Sequence, residues 1–383
     1  MFKNKLISQI STIALTLVIS SNALAIETKA KQAVLMDYDT GEYILKKEHA
    51  KKMAPASMSK LMTVYMVFER LKDGRLSLDD KFTVSENAWR KGGTTSGSST
   101  MFLNPNSKVR VEDLIQGVIT QSGNDACITV AENISGSEED FADEMNKKAY
   151  ELGLKNSIFA NSTGWPDENQ KMSPEDLAKL GKILIKEFPD YYHFFSIKKF
   201  TYNKITQGNR NPLLYRMRYA DGFKTGHTES SGFGLVGSAK KDGRRLVMVL
   251  NGMSSLKERA SESERVMRWG FREFDNYTFF NAGEKVDNVK IWMGDKKEIP
   301  VSVKDDVILT IQKNKLSDVK LSVKYKTPVS APITKDQKLA ELKIDLGDGD
   351  VRKFDLLAKE KVEKLGFFGK IIPSIKYLVF GAK

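Results

Sequence analysis

Across residues 33–45 the apolar positions read strand, turn, strand: Ala33-Val34-Leu35-Met36 and Glu42-Tyr43-Ile44-Leu45 flank Asp37-Tyr38-Asp39-Thr40-Gly41, the pattern of a β-hairpin. Residues 57–71 follow Pro55, which suits the first turn of a helix. They are apolar on most faces apart from Lys60 and the Glu69-Arg70 end, which predicts a helix buried in the middle of a domain. Helical spacing returns over 112–134, interrupted at Ser122-Gly123-Asn124 as by a loop joining two helices. Residues 140–152 and 173–186 predict further helices, the second opened by a Ser-Pro-Glu-Asp start signal. The period then shortens. Residues 222–228, 232–239 and 245–251 read as strands, the last two joined by a turn at Lys240-Lys241-Asp242-Gly243, before 258–274 returns to helix.

One mostly antiparallel sheet with a helical layer built from the middle of the chain follows, an α+β domain. Beyond Gly283 the texture changes to short alternating strands at close spacing, such as Val289-Lys290-Ile291-Trp292 and Val319-Lys320-Leu321-Ser322-Val323, typical of a small β-sandwich or barrel. The last stretch interleaves Val362, Leu365, Phe367, Phe368, Ile371, Ile372, Ile375, Leu378, Val379 and Phe380 with Lys364, Lys370, Lys376 and Lys383. It is too charged to span a bilayer and suits an amphipathic helix lying in an anionic membrane interface. At the other end, Lys3 and Lys5, an apolar run over 6–19 and Ala23-Leu24-Ala25 predict a cleaved export signal. The expected division is a signal at 1–25, an α+β domain at 26–280, a β-rich domain at 281–360 and a membrane anchor at 361–383. The chain is then exported and held peripherally on the periplasmic side of the cytoplasmic membrane.

The formal net charge of +12 invites an anionic partner. Nucleic acid is disfavoured, because no zinc-finger, helix-turn-helix or aromatic single-strand signature is present; the excess of lysine toward the C-terminus favours a membrane surface. Cys127 is the only cysteine, so no intramolecular disulfide is possible, and its setting in Ala126-Cys127-Ile128 reads as a small buried hydrophobe. Three scattered histidines with no cysteine partner predict no metal site, and nothing predicts a cofactor.

Chemistry concentrates in three ordered motifs: Ser57-Met58-Ser59-Lys60, Ser122-Gly123-Asn124 and Lys224-Thr225-Gly226. With Ser57 at the start of the buried helix, Lys60 falls one turn on and within reach of its hydroxyl. A lysine removes a serine proton only when its own pKa is lowered, which burial and a second cation, Lys224, would do. Ser122 is placed to pass a proton to a leaving amine, and Asn124 to hold Lys60 and pair with a substrate carbonyl. Gly226 fits a strand that lies close to Ser57, and Thr225 beside Lys224 suits a carboxylate. Ser-x-x-Lys recurs elsewhere in the chain, so the weight rests on the ordered set.

That set, with Pro55-Ala56 before Ser57, Asp125-Ala126 after Asn124, His227-Thr228 after Gly226 and the β-rich domain and tail, resembles the serine D-alanyl-D-alanine carboxypeptidases, low-molecular-mass penicillin-binding proteins. The resemblance runs from about Ala33 to the C-terminus. It implies the penicillin-binding/β-lactamase-like transpeptidase fold, and attack by Ser57 on the bond between two terminal D-alanines of a peptidoglycan stem peptide through an acyl-enzyme. It also implies acylation of that serine by β-lactams. Arg210 and Arg259 match family arginines near the substrate carboxylate, and His227 is placed to bind substrate, its backbone N–H contributing to an oxyanion hole. The chain departs from the family where relatives often carry a His after the Asn161-Ser162-Thr163-Gly164-Trp165-Pro166 segment; here Gln170-Lys171 stand instead. A class A β-lactamase is disfavoured because Glu168 lacks the expected Asn four residues on, and a non-catalytic sensor because no motif residue is lost. A peptidoglycan endopeptidase remains the nearest alternative. Sequence leaves the oligomeric state open.

Overall fold

The computed structural model describes residues 26–366. The predicted export signal and all but the first residues of the predicted tail lie outside them. The N-terminal hairpin forms as β1 (Gln32–Asp37) and β2 (Tyr43–Lys47). A 3₁₀ turn, Ala56–Ser59, then leads into α1 (Lys60–Lys72), buried over nearly its whole length as its apolar circumference requires. Around it gather β3 (Lys81–Thr83), α2 (Glu86–Gly92), β4 (Lys108–Arg110), α3 (Val111–Gln116), α4 (Asn124–Ser135), α5 (Glu138–Glu151) and α6 (Pro174–Glu187). Ser137 and Ser173 cap α5 and α6 through their hydroxyls, each accepting from the amide three residues on. A short hairpin that apolar spacing does not reveal, β5 (Lys199–Tyr202) and β6 (Ile205–Gly208), and the single turn α7 (Leu213–Arg216) precede β7 (Ala220–Thr228), β8 (Gly232–Lys241), β9 (Arg244–Met253) and α8 (Leu256–Glu273).

The main sheet has the order β2-β1-β9-β8-β7, antiparallel throughout, with β7 at its edge. Along β9 the side chains alternate between two cores: Val247 and Val249 join the helical cluster around α1, while Leu246, Met248 and Leu250 join the core under α8. The sheet is therefore covered on both faces, which is why its central strand is one continuous apolar run.

The second domain begins earlier than the change of texture predicts. The helix α8 passes directly into β10 (Phe274–Phe280), which pairs with β13 (Val307–Gln312) and not with the main sheet. The division expected after residue 280 moves to Phe274, because Tyr277, Phe279 and Phe280 pack on the core of Val289, Val301, Leu309, Leu342 and Leu356. The remaining strands, β11 (Lys285–Trp292), β12 (Glu298–Ser302), β14 (Lys320–Lys324), β15 (Val329–Ser330), β16 (Lys338–Asp345) and β17 (Val351–Ala358), form a six-stranded sheet in the order β14-β16-β17-β12-β11-β15. The expected start of the tail at 361 also shifts. Val362 is 1 % exposed and exchanges backbone hydrogen bonds with Ile333, and the Leu365 amide donates to the Met293 carbonyl, so the chain remains part of the β-domain to that point.

A buried polar knot joins the two domains. Asp37 at the end of β1 receives Nε of Arg244 at 2.7 Å and Nδ2 of Asn276 from β10 at 3.0 Å; Arg244 also donates to the Phe274 carbonyl at 2.6 Å. The hydroxyls of Thr40 and Thr310 meet at 2.7 Å. Among the described residues no helix is long and apolar enough to cross a membrane.

Candidate active site

The nucleophile candidate lies at the seam between the helical cluster and the edge strand. Ser57 belongs to the 3₁₀ turn rather than to the α-helix that the sequence predicts, and α1 starts at Lys60. With three residues per turn, 3₁₀ geometry eclipses positions i and i+3. It sets Lys60 directly over Ser57, and Lys60 Nζ lies 2.9 Å from Ser57 Oγ. The same amine donates to Asn124 Oδ1 at 2.7 Å and to the Thr163 carbonyl. Lys60 is fully buried. Burial pushes its pKa down to about 8, with the Arg210 charge adding to the effect, while Glu138 and Asp125 oppose it. Arg210 is thus a nearby cation beside the one to which the sequence pointed, Lys224. Lys224, on β7, is itself held well below the usual lysine range, first by burial and then by the charge of Lys60.

Ser122 and Asn124 arrive from the other side of the cluster. A π-helical turn, Gly117–Gln121, runs into Ser122, which adopts the left-handed conformation at φ 61°, and α4 starts at Asn124. Strain of this kind in a non-glycine residue persists only where its surroundings over-determine it. Here Asp125 does so: its buried carboxylate accepts from Thr100 Oγ1 at 2.6 Å, Met101 N at 3.0 Å and Leu103 N at 3.1 Å. These bonds fasten loop 99–103 to the start of α4, and the Asn124 amide donates to the Ser99 carbonyl at 2.7 Å. Gly123 occupies the middle of the motif where a Cβ would meet Asp125 Oδ1 at 2.8 Å.

On the strand side, Gly226 passes so close to the serine turn that a Cβ there would sit 2.7 Å from the Pro55 carbonyl oxygen. Thr225 is buried beside it. Arg259, from α8, is buried, lies over the Phe233 ring at 5.6 Å, and has an Nε with no partner; burial and the neighbouring Arg210 lower its pKa to about 10. Arg210 is exposed and donates to Ser99 Oγ at 2.6 Å. His227 is exposed and stacks on Phe233 with ring centroids 3.9 Å apart, so its ring is engaged by an aromatic face and not by a carboxylate that would make it a base.

Sequence reasoning missed the third partner of Lys60, because a backbone carbonyl carries no side-chain signature. The 161–165 loop that supplies it is wound around Asn161 Oδ1, which accepts from the amides of Thr163, Gly164 and Trp165. Gly164 (φ +75°) lies where a Cβ would overlap the Ala56 carbonyl. Gln170, at the departure from the family pattern, is buried and receives the Ala160 amide on Oε1 at 2.7 Å, bracing the base of the same loop. A cleft of about 280 Å³ opens beside the serine turn, lined by Ala56, Gly164, Trp165, Thr228 and Ser230 among others.

A serine bonded to a buried lysine with lowered pKa, an amide on that lysine, and a strand edge cleared at Gly226 define a serine-lysine acyl-transfer site. Comparison with known proteins narrows the class. The sequence profile of the D-alanyl-D-alanine carboxypeptidase family matches residues 18–255, and that of the penicillin-binding protein 5 C-terminal domain matches residues 274–364. D-alanyl-D-alanine carboxypeptidase DacC of Escherichia coli K12 is 38% identical over 345 residues, 89% of this chain and 86% of that one. Penicillin binding protein 5 from Haemophilus influenzae superposes with a TM-score of 0.78 at 36% identity, covering 88% of this chain and 99% of its own. The D-alanyl-D-alanine carboxypeptidase DacD from Francisella tularensis gives 0.80 at 30% identity, covering 89% and 95%. The chain belongs to the family of serine-type D-alanyl-D-alanine carboxypeptidases.

Proposed function

We propose that this chain removes the terminal D-alanine from peptidoglycan stem peptides, with Ser57 as nucleophile and Lys60 as its base. The observation that carries the reading is the position of Lys60 Nζ, in hydrogen-bond reach of Ser57 Oγ and held from behind by Asn124. Neutral Lys60 takes the hydroxyl proton as Ser57 Oγ attacks the carbonyl of the penultimate D-alanine. The C–N bond then breaks, the leaving amine receives a proton relayed by Ser122, and free D-alanine departs from a Ser57 ester. Water, deprotonated by the same lysine, hydrolyses that ester and restores the enzyme. Thr225, Lys224, Arg210 and Arg259 bind the terminal carboxylate. Gly226 leaves room for the substrate backbone along β7, and the His227 backbone N–H polarises the carbonyl. A β-lactam enters by the same attack, its amide bond opening onto Ser57.

The deciding experiment pairs an intact-mass measurement after incubation with a penicillin with an assay of D-alanine released from a peptide ending in D-Ala-D-Ala. The full chain should gain one penicillin adduct at Ser57 and release D-alanine; Ser57→Ala should do neither. Release of D-alanine by Ser57→Ala would overturn the assignment.

The setting proposed for this activity is the outer face of the cytoplasmic membrane, reached by export through the 1–25 signal. Attachment falls to the lysine-studded apolar tail beyond Leu365, whose pattern supports an interfacial helix.

A further inference from the structure

The third acceptor of Lys60 is not a free loop carbonyl. Thr163 follows Ser162, and Ser162 is gripped from two helices. Its carbonyl accepts Thr63 Oγ1 from α1 at 2.6 Å, and its hydroxyl and amide both reach Glu138 Oε1, at 2.6 and 3.2 Å. Glu138 is the first residue of α5. A continuous chain therefore runs from Glu138 through Ser162 and the Thr163 carbonyl to Lys60 Nζ. We propose that Glu138 is a positioning residue of the active site: its carboxylate clamps Ser162 so that the Thr163 carbonyl holds Lys60 toward Ser57.

The charged and titratable groups facing Lys60 come from every element packed on it: Asp125 and Cys127 from α4, Glu138 from α5, Lys224 from β7, and Arg210. Arg210 favours the neutral amine; Glu138 and Asp125 favour the protonated one. Asp125 is fully occupied in fastening loop 99–103. Glu138 directs its hydrogen bonds to one residue, Ser162, the neighbour of the Lys60 acceptor, which makes it the group whose charge and geometry can be separated by substitution.

The inference rests on Lys60 as base, and the test tells the two apart. The rate constant for acylation of the full chain by a fluorescent penicillin is measured against pH, with the melting temperature of each variant. Glu138→Gln keeps an oxygen for Ser162 but loses the charge; its plateau rate should stay within about twofold, while the rising limb moves to lower pH by about half a unit to one unit. Glu138→Ala loses both, and its plateau should fall about tenfold as the Thr163 carbonyl is released. Should Glu138→Ala fail to fold, Ser162→Ala carries the geometric arm with the same expected loss. An undiminished plateau in Glu138→Ala or Ser162→Ala would overturn the clamp, and a limb unmoved in folded Glu138→Gln would overturn the part given to its charge. A limb that persists unchanged in Lys60→Arg would overturn the base reading itself.

Discussion

In the proposed reaction Lys60 carries most of the chemistry because of where it is buried. A lysine in water is protonated and a poor base at neutral pH; burial pushes the Lys60 pKa down to about 8. Since acylation needs the neutral amine, the rate should rise with pH through about 8 and fall about tenfold for each unit below that limb. A stopped-flow pH profile of penicillin acylation reads this directly, and a flat profile across neutrality would contradict it. At Gly226 the constraint is space alone. Gly226→Ala places a methyl 2.7 Å from the Pro55 carbonyl, so either β7 or the serine turn must shift. We expect a loss of about 100-fold in acylation rate, the size that a displacement near 1 Å produces. A near-normal melting temperature would show the loss to be local.

At the scale of elements, the site is a meeting of one helix start, one interrupted helix and one strand edge. What sequence made legible follows from that: Ser57, Lys60, Ser122, Asn124 and Lys224 are side chains in ordered motifs, and the hairpin, α1 and the three long strands announce themselves by apolar period. What it concealed has equally physical causes. The 3₁₀ turn at Ala56–Ser59 differs from an α-helix by a hydrogen-bond step and not by composition. The Thr163 carbonyl is backbone, and the β5–β6 hairpin is too short and polar to show a period. The loop 99–103 gave no signal either, because its order comes from Asp125. Replacing Asp125 by Ala removes bonds to Thr100, Met101 and Leu103 at once and should cost about 3 kcal/mol in urea unfolding. Acylation should drop with it, since Ser99 of that loop accepts the Asn124 backbone amide; an unchanged unfolding midpoint would refute the role given to Asp125.

For the whole molecule, the knot around Asp37 matters more than its size suggests. One carboxylate holds Arg244 of the main sheet and Asn276 of the β-domain, so the two domains are joined through a buried charge. Asp37→Ala strands Arg244 and should destabilise the chain by about 3–5 kcal/mol, while the acylation rate at room temperature changes far less. Calorimetry of the variant checks this, and a single unshifted transition would count against it. The position of Val362 likewise governs how the tail can be removed. A chain ending at Leu365 keeps the β-domain core intact and should be active and free of membranes. A chain ending at Glu360 also loses Val362 and should melt lower, by an amount in keeping with about 2 kcal/mol for one buried aliphatic side chain. If the chain ending at Leu365 still sediments with anionic vesicles at high salt, the tail is not the anchor.

The π-helical turn before Ser122 has a bearing on how such a chain can change length. Each α-helical residue advances the chain by about 100° around the axis, and the turn at Gly117–Gln121 spends one residue more per hydrogen-bonded loop than an α-helix does. A one-residue deletion there lets the ladder close as ordinary helix, each later residue taking its predecessor's place, so Ser122 should stay on the face that meets Lys60. Surface loops absorb such an indel as slack. Here the wider turn is the helix's own slack, so a homologue one residue shorter at 117–121 should keep its serine in place, with an ordinary helical turn where this chain has the wider one.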